Sequence, residues 1–276
     1  MMRSLWTAAS GMRAQQVNVD TIANNVANIN TIGYKSQQAS FKSLLYQNLQ
    51  STSTNNAGEN KPVAAEVGLG SRVAAITSTF TQGNLTHVEN PFSVALEGDG
   101  FFQIRTESGE LQYTRDGSFE ISPVANGNML CTSDGNPVLD AYGNQIILLS
   151  NRVATDLVVN QDGTLAFPDG TGNPAVITDA NGRPVKFGIY QFNNPAGLSK
   201  EGSNNYSVTV ASGAAVAENG NAAVKQTKTH QYYTEASNVD VANEMVNLIV
   251  AQRAYEMNSK AIQASDEMMQ QANALR

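Results

Sequence analysis

The sequence predicts an α+β protein, with a long helix at each end and an antiparallel all-β domain inserted between them. Three observations carry this. An apolar stripe at alternating steps of three and four runs from Leu5 to Ile29. A second stripe, at steps of seven, runs from Val241 to Met269, and no Gly or Pro occurs from Val239 to Arg276. Between them, short apolar runs are punctuated by Asp-Gly and Asn-Gly pairs. The expected boundaries are 1–35 for the N-terminal helix, 36–80 for an extended or linker region, 81–230 for the β domain and 231–276 for the C-terminal helix.

In the first element the stripe is Leu5, Ala8, Met12, Gln15, Val19, Ile22, Val26 and Ile29, with Gln15 its single polar member. That is a heptad seam sustained over several repeats. On a helical wheel Asn24, Asn25 and Asn28 fall opposite it, beside Arg13 and Asp20. Asparagine is a mediocre helix former, so the stretch DTIANNVANINTIGYK (20–35) needs a reason. In a homopolymer each side chain meets copies of itself, and a charged face would set like charges together. Amides carry both a donor and an acceptor and pair without that repulsion.

Residues 36–80 change character. SQQASFKSLLYQNL is expected to be a short helical or extended piece, and STSTNNAGENKP (51–62) a polar loop or linker. VGLGSRVAAITSTF alternates as a strand does. From Gln82 to His230 the pattern is β throughout. The turn pairs are Asp99-Gly100, Asp116-Gly117, Asp134-Gly135, Asp162-Gly163, Asp169-Gly170 and Asn181-Gly182, and strands such as FFQIRT, NQIILL and VKFGIYQF lie among them. Gly, Asn and Asp tolerate the positive φ of tight hairpins.

In the last element Val241, Leu248, Tyr255, Ile262 and Met269 are spaced by seven, and Met245 and Ile249 widen the stripe. Gln252, Ser259 and Asp266 interrupt its second track. Ser237 and Asp240 have capping-box spacing, and Glu256 and Lys260 form an i,i+4 pair. A helix of about 35 residues, roughly 50 Å long, follows. Several seam positions are Ala, Gln or Ser, so an isolated helix pair buries little against the entropy of ordering it. Copies packed on its other faces would remedy that. The expected assembly seam is therefore Leu5, Met12, Val19, Ile22, Val26, Ile29, Val241, Met245, Leu248, Tyr255, Ile262 and Met269, with the amides Asn24, Asn25 and Asn28 opposite it and Gly33 following them in the same motif.

Composition excludes other classes. The net charge is −7 and no Lys/Arg cluster occurs, which argues against nucleic acid as a partner. Charged residues make up 15% of the chain, below the ordinary quarter; amides and hydroxyls replace them. Cys131 is the single cysteine, so no intrachain disulfide forms. No apolar run is long enough to span a bilayer, and MMRSLWTAASGMRAQQ lacks the apolar core of a Sec signal. The only histidines, His87 and His230, are far apart in sequence, and no zinc-ligand cluster, phosphate-loop or nucleophile-elbow motif is present. Asp-Gly pairs without EF-hand spacing read as turns, not calcium ligands. Arg115, Asp116 and Glu120 near Tyr113 read as cross-strand charge pairing. No catalytic, cofactor-binding or metal residue is predicted, and the chain is not read as an enzyme.

SLWTAASGMRAQQ, VDTIANNVANINTIGYK, SLLYQNL, VGLGSRVA, FTQGNLTHVENPFSVALEGDGFFQI, YTRDGSFEIS and SNVDVANEMVNLIVAQRAYEMNSKAIQASDEMM occur in this order over nearly the whole chain. In these motifs it resembles the rod and hook family of axial proteins of the bacterial flagellum, and within that family the distal-rod branch. Its length leaves no room for the extra outer domains usual in hook relatives. Residues 222–240 depart from the pattern, since relatives commonly carry a QG-type turn before SNV.

The resemblance implies terminal helices in an inner coiled-coil layer with a β domain outside. It also implies a hollow helical rod that carries torque to the hook and conducts exported subunits. Secretion through the flagellar type III channel would need no cleaved signal. The implied partners are other copies of the chain, proximal rod and hook proteins, the export apparatus and, where an outer membrane exists, bushing rings. The implied location is the basal body outside the cytoplasmic membrane. The alternatives are a proximal rod or hook-type axial protein, or a surface-binding β module anchored by its helices.

Overall fold

The fold is that of a computed structural model, which describes residues 2–50, 65–124, 127–148, 154–168, 174–179, 182–221 and 224–274. The expected loop at 51–62 and the turn pair Asp169-Gly170 lie outside the described residues, as does Asn181. The protein is α+β, with a helix near each end of the chain and a β-rich middle. It divides into two compact units: one comprises 1–27, 37–78 and 240–276, the other 28–36 and 79–239.

Among the described residues the first unit holds both helices and four strands. Helix α1 spans Met2–Ala27. Its hydroxyl side chains bond back to its own carbonyls, as Thr21 Oγ1 does to the Val17 carbonyl at 2.8 Å, so they sit mid-helix without orphaned polar atoms. Strand β1 (Gln37–Ser43) pairs antiparallel with β4 (Ser71–Ser78). Strand β2 (Tyr46–Gln50) likewise pairs with β3 (Ala65–Gly68). The region expected as a linker is thus strand on either side of 51–64, which its alternating residues permit. The β1–β4 pair packs along α1. Helix α2 spans Val241–Ala274, 34 residues. Its cap is Asp240, whose Oδ1 accepts from the Ala242 N–H at 3.0 Å while its carbonyl accepts from the Glu244 N–H at 2.9 Å. The capping box expected from Ser237 is not used, because Asp240 stands nearer the first turn. The ion pair on the helix surface is Arg253–Glu256 at 3.5 Å, not Glu256–Lys260.

The second unit is β, and among the described residues every strand pairing in it is antiparallel. Its six-stranded sheet runs Ser199–Gly202, Asn205–Ser207, Leu111–Thr114, Phe101–Arg105, Ile189–Gln191 and Val216–Ala217. Two three-stranded sheets flank the main core, centred on Gly127–Cys131 and Leu165–Pro168. That core gathers Val94, Leu96, Phe102, Ile104, Phe119 and Phe187, each at most 1% exposed. A smaller aromatic core joins Phe101, Tyr113, Phe192 and Tyr206. The Asp-Gly pairs divide. At Gly135 and Gly163 φ is +83° and +80°, as a tight turn requires; Gly100 and Gly117 are not in the left-handed region.

The segment 28–36 belongs to this unit. Asn28 begins a turn, with its carbonyl accepting from the Thr31 N–H at 3.2 Å, so α1 stops short of the boundary expected at 35. At the other end, strand Tyr233–Glu235 pairs with Leu85–His87, so the residues before Asp240 are β rather than helix.

Candidate assembly surface

Helices α1 and α2 run antiparallel along a seam of small and polar residues. Ser4 Oγ lies 3.3 Å from Ser265 Oγ. A Cβ added at Gly11 would stand 2.9 Å from Asn258 Nδ2. Asn25 Nδ2 donates to Glu244 Oε1 at 3.3 Å. From Ser4 to Gly11 is one heptad, as is Ser265 to Asn258; Gly11 to Asn25 and Asn258 to Glu244 are two heptads each. The register therefore holds along the pair. Ala251, 1% exposed, lies on the same face of α2. Small residues let the backbones approach closely, which is why Gly11 is tolerated mid-helix despite its helix-breaking entropy.

The expected seam residues distribute unevenly. Ile22 is buried, and Leu5, Met12, Val19, Val26, Leu248, Ile262 and Met269 are half-buried. Ile29 is half-buried too, but beyond the end of α1 and in the β unit. Val241, Met245 and Tyr255 are exposed, at 44, 56 and 43%. Of the amides, Asn24 is exposed and Asn28 half-buried. Asn25 is 1% exposed and does not form an outward face. Its Nδ2 donates to the Gln37 carbonyl and its Oδ1 accepts from the Gln37 N–H, both at 2.8 Å. It thus mimics a strand partner and fixes where β1 starts beside the helix. Gly33 is buried at φ +70°, where a Cβ would meet the Asp116 N at 2.9 Å.

Two features escaped the sequence reading. One is the polar heptad Ser4, Gly11 and Asn25 itself, because small and polar residues add nothing to a hydrophobic period. The other is a second stripe on α2. Val246, Val250, Ala254, Met257, Ala261, Ala264 and Met268 follow one another at steps of three and four with no polar member. Val246, Val250, Met257 and Met268 are 59, 62, 66 and 49% exposed. Elsewhere in this unit Trp6, Leu45, Tyr46 and Leu49 are exposed at 54% or more. Among the described residues the unit's buried apolar side chains are only Ala8, Ala14, Ile22 and Ala251. Contiguous exposed apolar surface of this kind marks an interaction face.

Grooves lie beside the helices. One of about 410 Å³ is bounded by Trp6, Ala9, Arg13 and Val17 of α1 and by Leu44, Leu69, Arg72 and Val73. Another of the same size lies among Gln16, Val19, Gln252, Tyr255 and Glu256. Glu244 is half-buried; burial raises its pKa above the ordinary value, while the Asn25 hydrogen bond opposes the rise and Asp240 adds to it.

The β unit holds a buried charge cluster. Lys35 Nζ lies 2.6 Å from Glu235 Oε1, and Arg115 Nη1 lies 3.2 Å from Glu235 Oε2, with all three side chains at most 1% exposed. Glu235 also accepts from the Gly83 N–H at 2.9 Å, and Lys35 donates to the Thr81 carbonyl at 2.8 Å. The Arg115 guanidinium sits 5.1 Å from the Phe101 ring centroid, a favourable place for the excess positive charge. Burial lowers the Lys35 pKa, and Glu235 pulls it the other way. Arg115 therefore does not pair with Asp116 or Glu120 as expected; its partner stands 120 residues away. Sealed from solvent, the cluster ties 28–36 to Tyr233–Glu235 and offers no surface to a substrate. Asn238 adds to the tie, accepting from the Ser36 N–H at 2.7 Å and donating to the Thr79 carbonyl at 2.9 Å.

Known families match the chain in three places. Residues 5–35 match the flagella basal body rod protein family, residues 95–167 the D1 domain of flagellar hook protein FlgE/F/G, and residues 230–275 the C-terminal family of flagellar basal body rod FlgEFG proteins. The flagellar basal-body rod protein FlgG of Borreliella burgdorferi is 42% identical over 100% of this chain and 99% of its own length. Its counterparts in Caulobacter vibrioides and Bacillus subtilis are 37 and 34% identical, over 100% and 98% of both chains. Among the described residues no helix is long and apolar enough to cross a membrane. With relatives matched from end to end, and matches at both helices and the β unit, the chain belongs to the family of flagellar basal-body rod proteins.

Proposed function

We propose that this chain is a structural subunit of the distal rod of the bacterial flagellum, polymerising head to tail into a hollow shaft. In this reading the terminal helices of successive copies pack into a coiled-coil layer. The shaft carries motor torque to the hook and conducts exported subunits. The chain leaves the cell through the flagellar type III channel and acts outside the cytoplasmic membrane. Its neighbours are proximal rod proteins at one end and hook proteins at the other, with bushing rings around the rod where an outer membrane exists.

The observation that carries the reading is how little apolar side chain the helical unit buries among the described residues. It exposes Val246, Val250 and Met257 on one helix and buries little beyond alanine. Fully burying a Val or Met side chain returns about 1.5–3 kcal/mol, so copies packed on these faces supply what the subunit lacks. A shaft also needs open, non-closing contacts, which heterologous surfaces provide.

Met257→Asp tests it. The site is 66% exposed, so the dilute subunit should keep its helical signal and melting temperature. Wild type should form rods or sedimenting aggregates as concentration rises, while the variant stays discrete and fails to restore motility. Rods of normal length from the variant would refute the reading.

A further inference from the structure

The geometry points to one pairing of surfaces within the proposed polymer: the groove walled by Trp6 takes the C-terminal half of the exposed α2 stripe from the next copy. This rests on the self-assembly reading above and adds which surface meets which. The groove is about 410 Å³, open, and apolar along Trp6, Val17, Leu69 and Val73. Among the described residues its charged walls are Arg13 and Arg72, and neither makes an ion pair within the subunit.

The stripe is complementary in shape and charge. Between Met257 and Met268 it narrows to Ala261 and Ala264, a flat strip on which a bulky wall such as Trp6 can close. Glu267 flanks that strip, Asp266 and Glu267 are the only charged residues from Ala261 to Ala274, and the last turn of α2 has no basic residue. Glu267 also lacks an ion pair within the subunit among the described residues. The helix end presents carbonyl oxygens with partial negative charge. Two groove arginines facing Glu267 are attracted, whereas two stripes facing each other in parallel would bring Glu267 against Glu267. Each copy carries one Trp6 groove and one stripe, so the contact propagates and does not close on itself.

Ala9→Cys on one population and Ala264→Cys on another test the contact in mixed polymers under mild oxidation. The native thiol, Cys131, is buried, and each population alone reports any background. Cross-linked dimers in the mixture and not in either population alone are expected. Polymers that form without that dimer, or in which Ala9→Cys links instead to a Leu45→Cys copy, would overturn the pairing while leaving the rod reading intact. Failure of the unmodified chain to polymerise would remove both. As a second readout, the double variant Arg13→Glu, Arg72→Glu should raise the concentration needed for assembly by about tenfold, and Glu267→Arg should reverse part of that rise. No rise, or no reversal, would count against the charge pairing.

Discussion

Glu235 stands between two cations with its side chain fully buried. A buried carboxylate is tolerated when its lone pairs are filled, and here Lys35, Arg115 and the Gly83 N–H fill them. Removing one partner from such a cluster costs about 3–5 kcal/mol, because the remaining charges stay buried and uncompensated. Glu235→Ala should lower the unfolding free energy by that amount, read as a shift of the denaturant midpoint at unchanged slope; a change within about 0.5 kcal/mol, the scatter of surface substitutions, would show the cluster to be dispensable. Tyr232 is a second residue under strain. It takes φ +64° between two strands, in the segment where the family resemblance leads one to look for a glycine turn. Left-handed backbone costs a residue with a Cβ about 1–2 kcal/mol. Tyr232 offsets part of this by stacking on His87, with centroids 6.4 Å apart. Tyr232→Gly should therefore stay within about 1 kcal/mol of wild type, whereas Tyr232→Val should melt lower than either, since it keeps the strain and loses the ring. Sequence alone could not have found the Glu235 cluster. Its members are separated by 120 and 200 residues, and Arg115 has acidic neighbours in sequence that invited a local pairing.

At the scale of elements, the helix pair is held by contacts that carry a charge penalty. Glu244 meets Asn25 from a half-buried position, and burial raises its pKa. A carboxyl whose folded value lies above its unfolded one binds protons more tightly when folded. Its stabilising effect is therefore present in acid and is lost as pH rises from the ordinary carboxylate value through the raised one. Glu244→Gln keeps an acceptor for Asn25 and removes the charge. The dilute variant should hold its helical signal to higher temperature than wild type at neutral pH and match it below the unfolded carboxylate value; an equal gain at both pH values would mean the charge is not the cause. Both helices were legible in sequence because a 3.6-residue period repeated over many turns is a strong signal. Their ends were less so. Asn25 looked like part of an outward amide face, but a wheel shows direction and not what a neighbouring strand covers. The strands from Gln37 to Ser78 were half-visible, since short exposed strands hold few apolar residues to alternate. The second stripe of α2 was present in the sequence all along. It was hidden because Val241, Leu248 and Ile262 made a plausible seam first, and a helix with two apolar faces has no single answer on a wheel.

For the whole molecule, the chain's first residues serve two separate units, and this gives a sharp truncation test. Residues 1–27 belong with the helices, but 28–36 belong with the β unit. Within 28–36 the Gly33 N–H donates to the Glu235 carbonyl at 2.8 Å, Lys35 neutralises the Glu235 carboxylate, and the Ser36 N–H donates to Asn238. A chain starting at Asn28 keeps all three; one starting at Gln37 loses them together. The shorter deletion should leave a β unit that melts cooperatively near the wild-type temperature yet never polymerises, because α2 then has no α1 to pack on. The longer deletion removes one cation of the cluster and two backbone ties, and about 3–5 kcal/mol for the charge alone is a large share of the 5–15 kcal/mol that holds most domains folded. Its melting should broaden or vanish, followed through the tyrosine signal, since the single tryptophan, Trp6, is absent from both chains. Equal melting of the two truncated chains would mean that 28–36 is a passive connection; polymers from the chain starting at Asn28 would mean that α1 is not needed for the shaft.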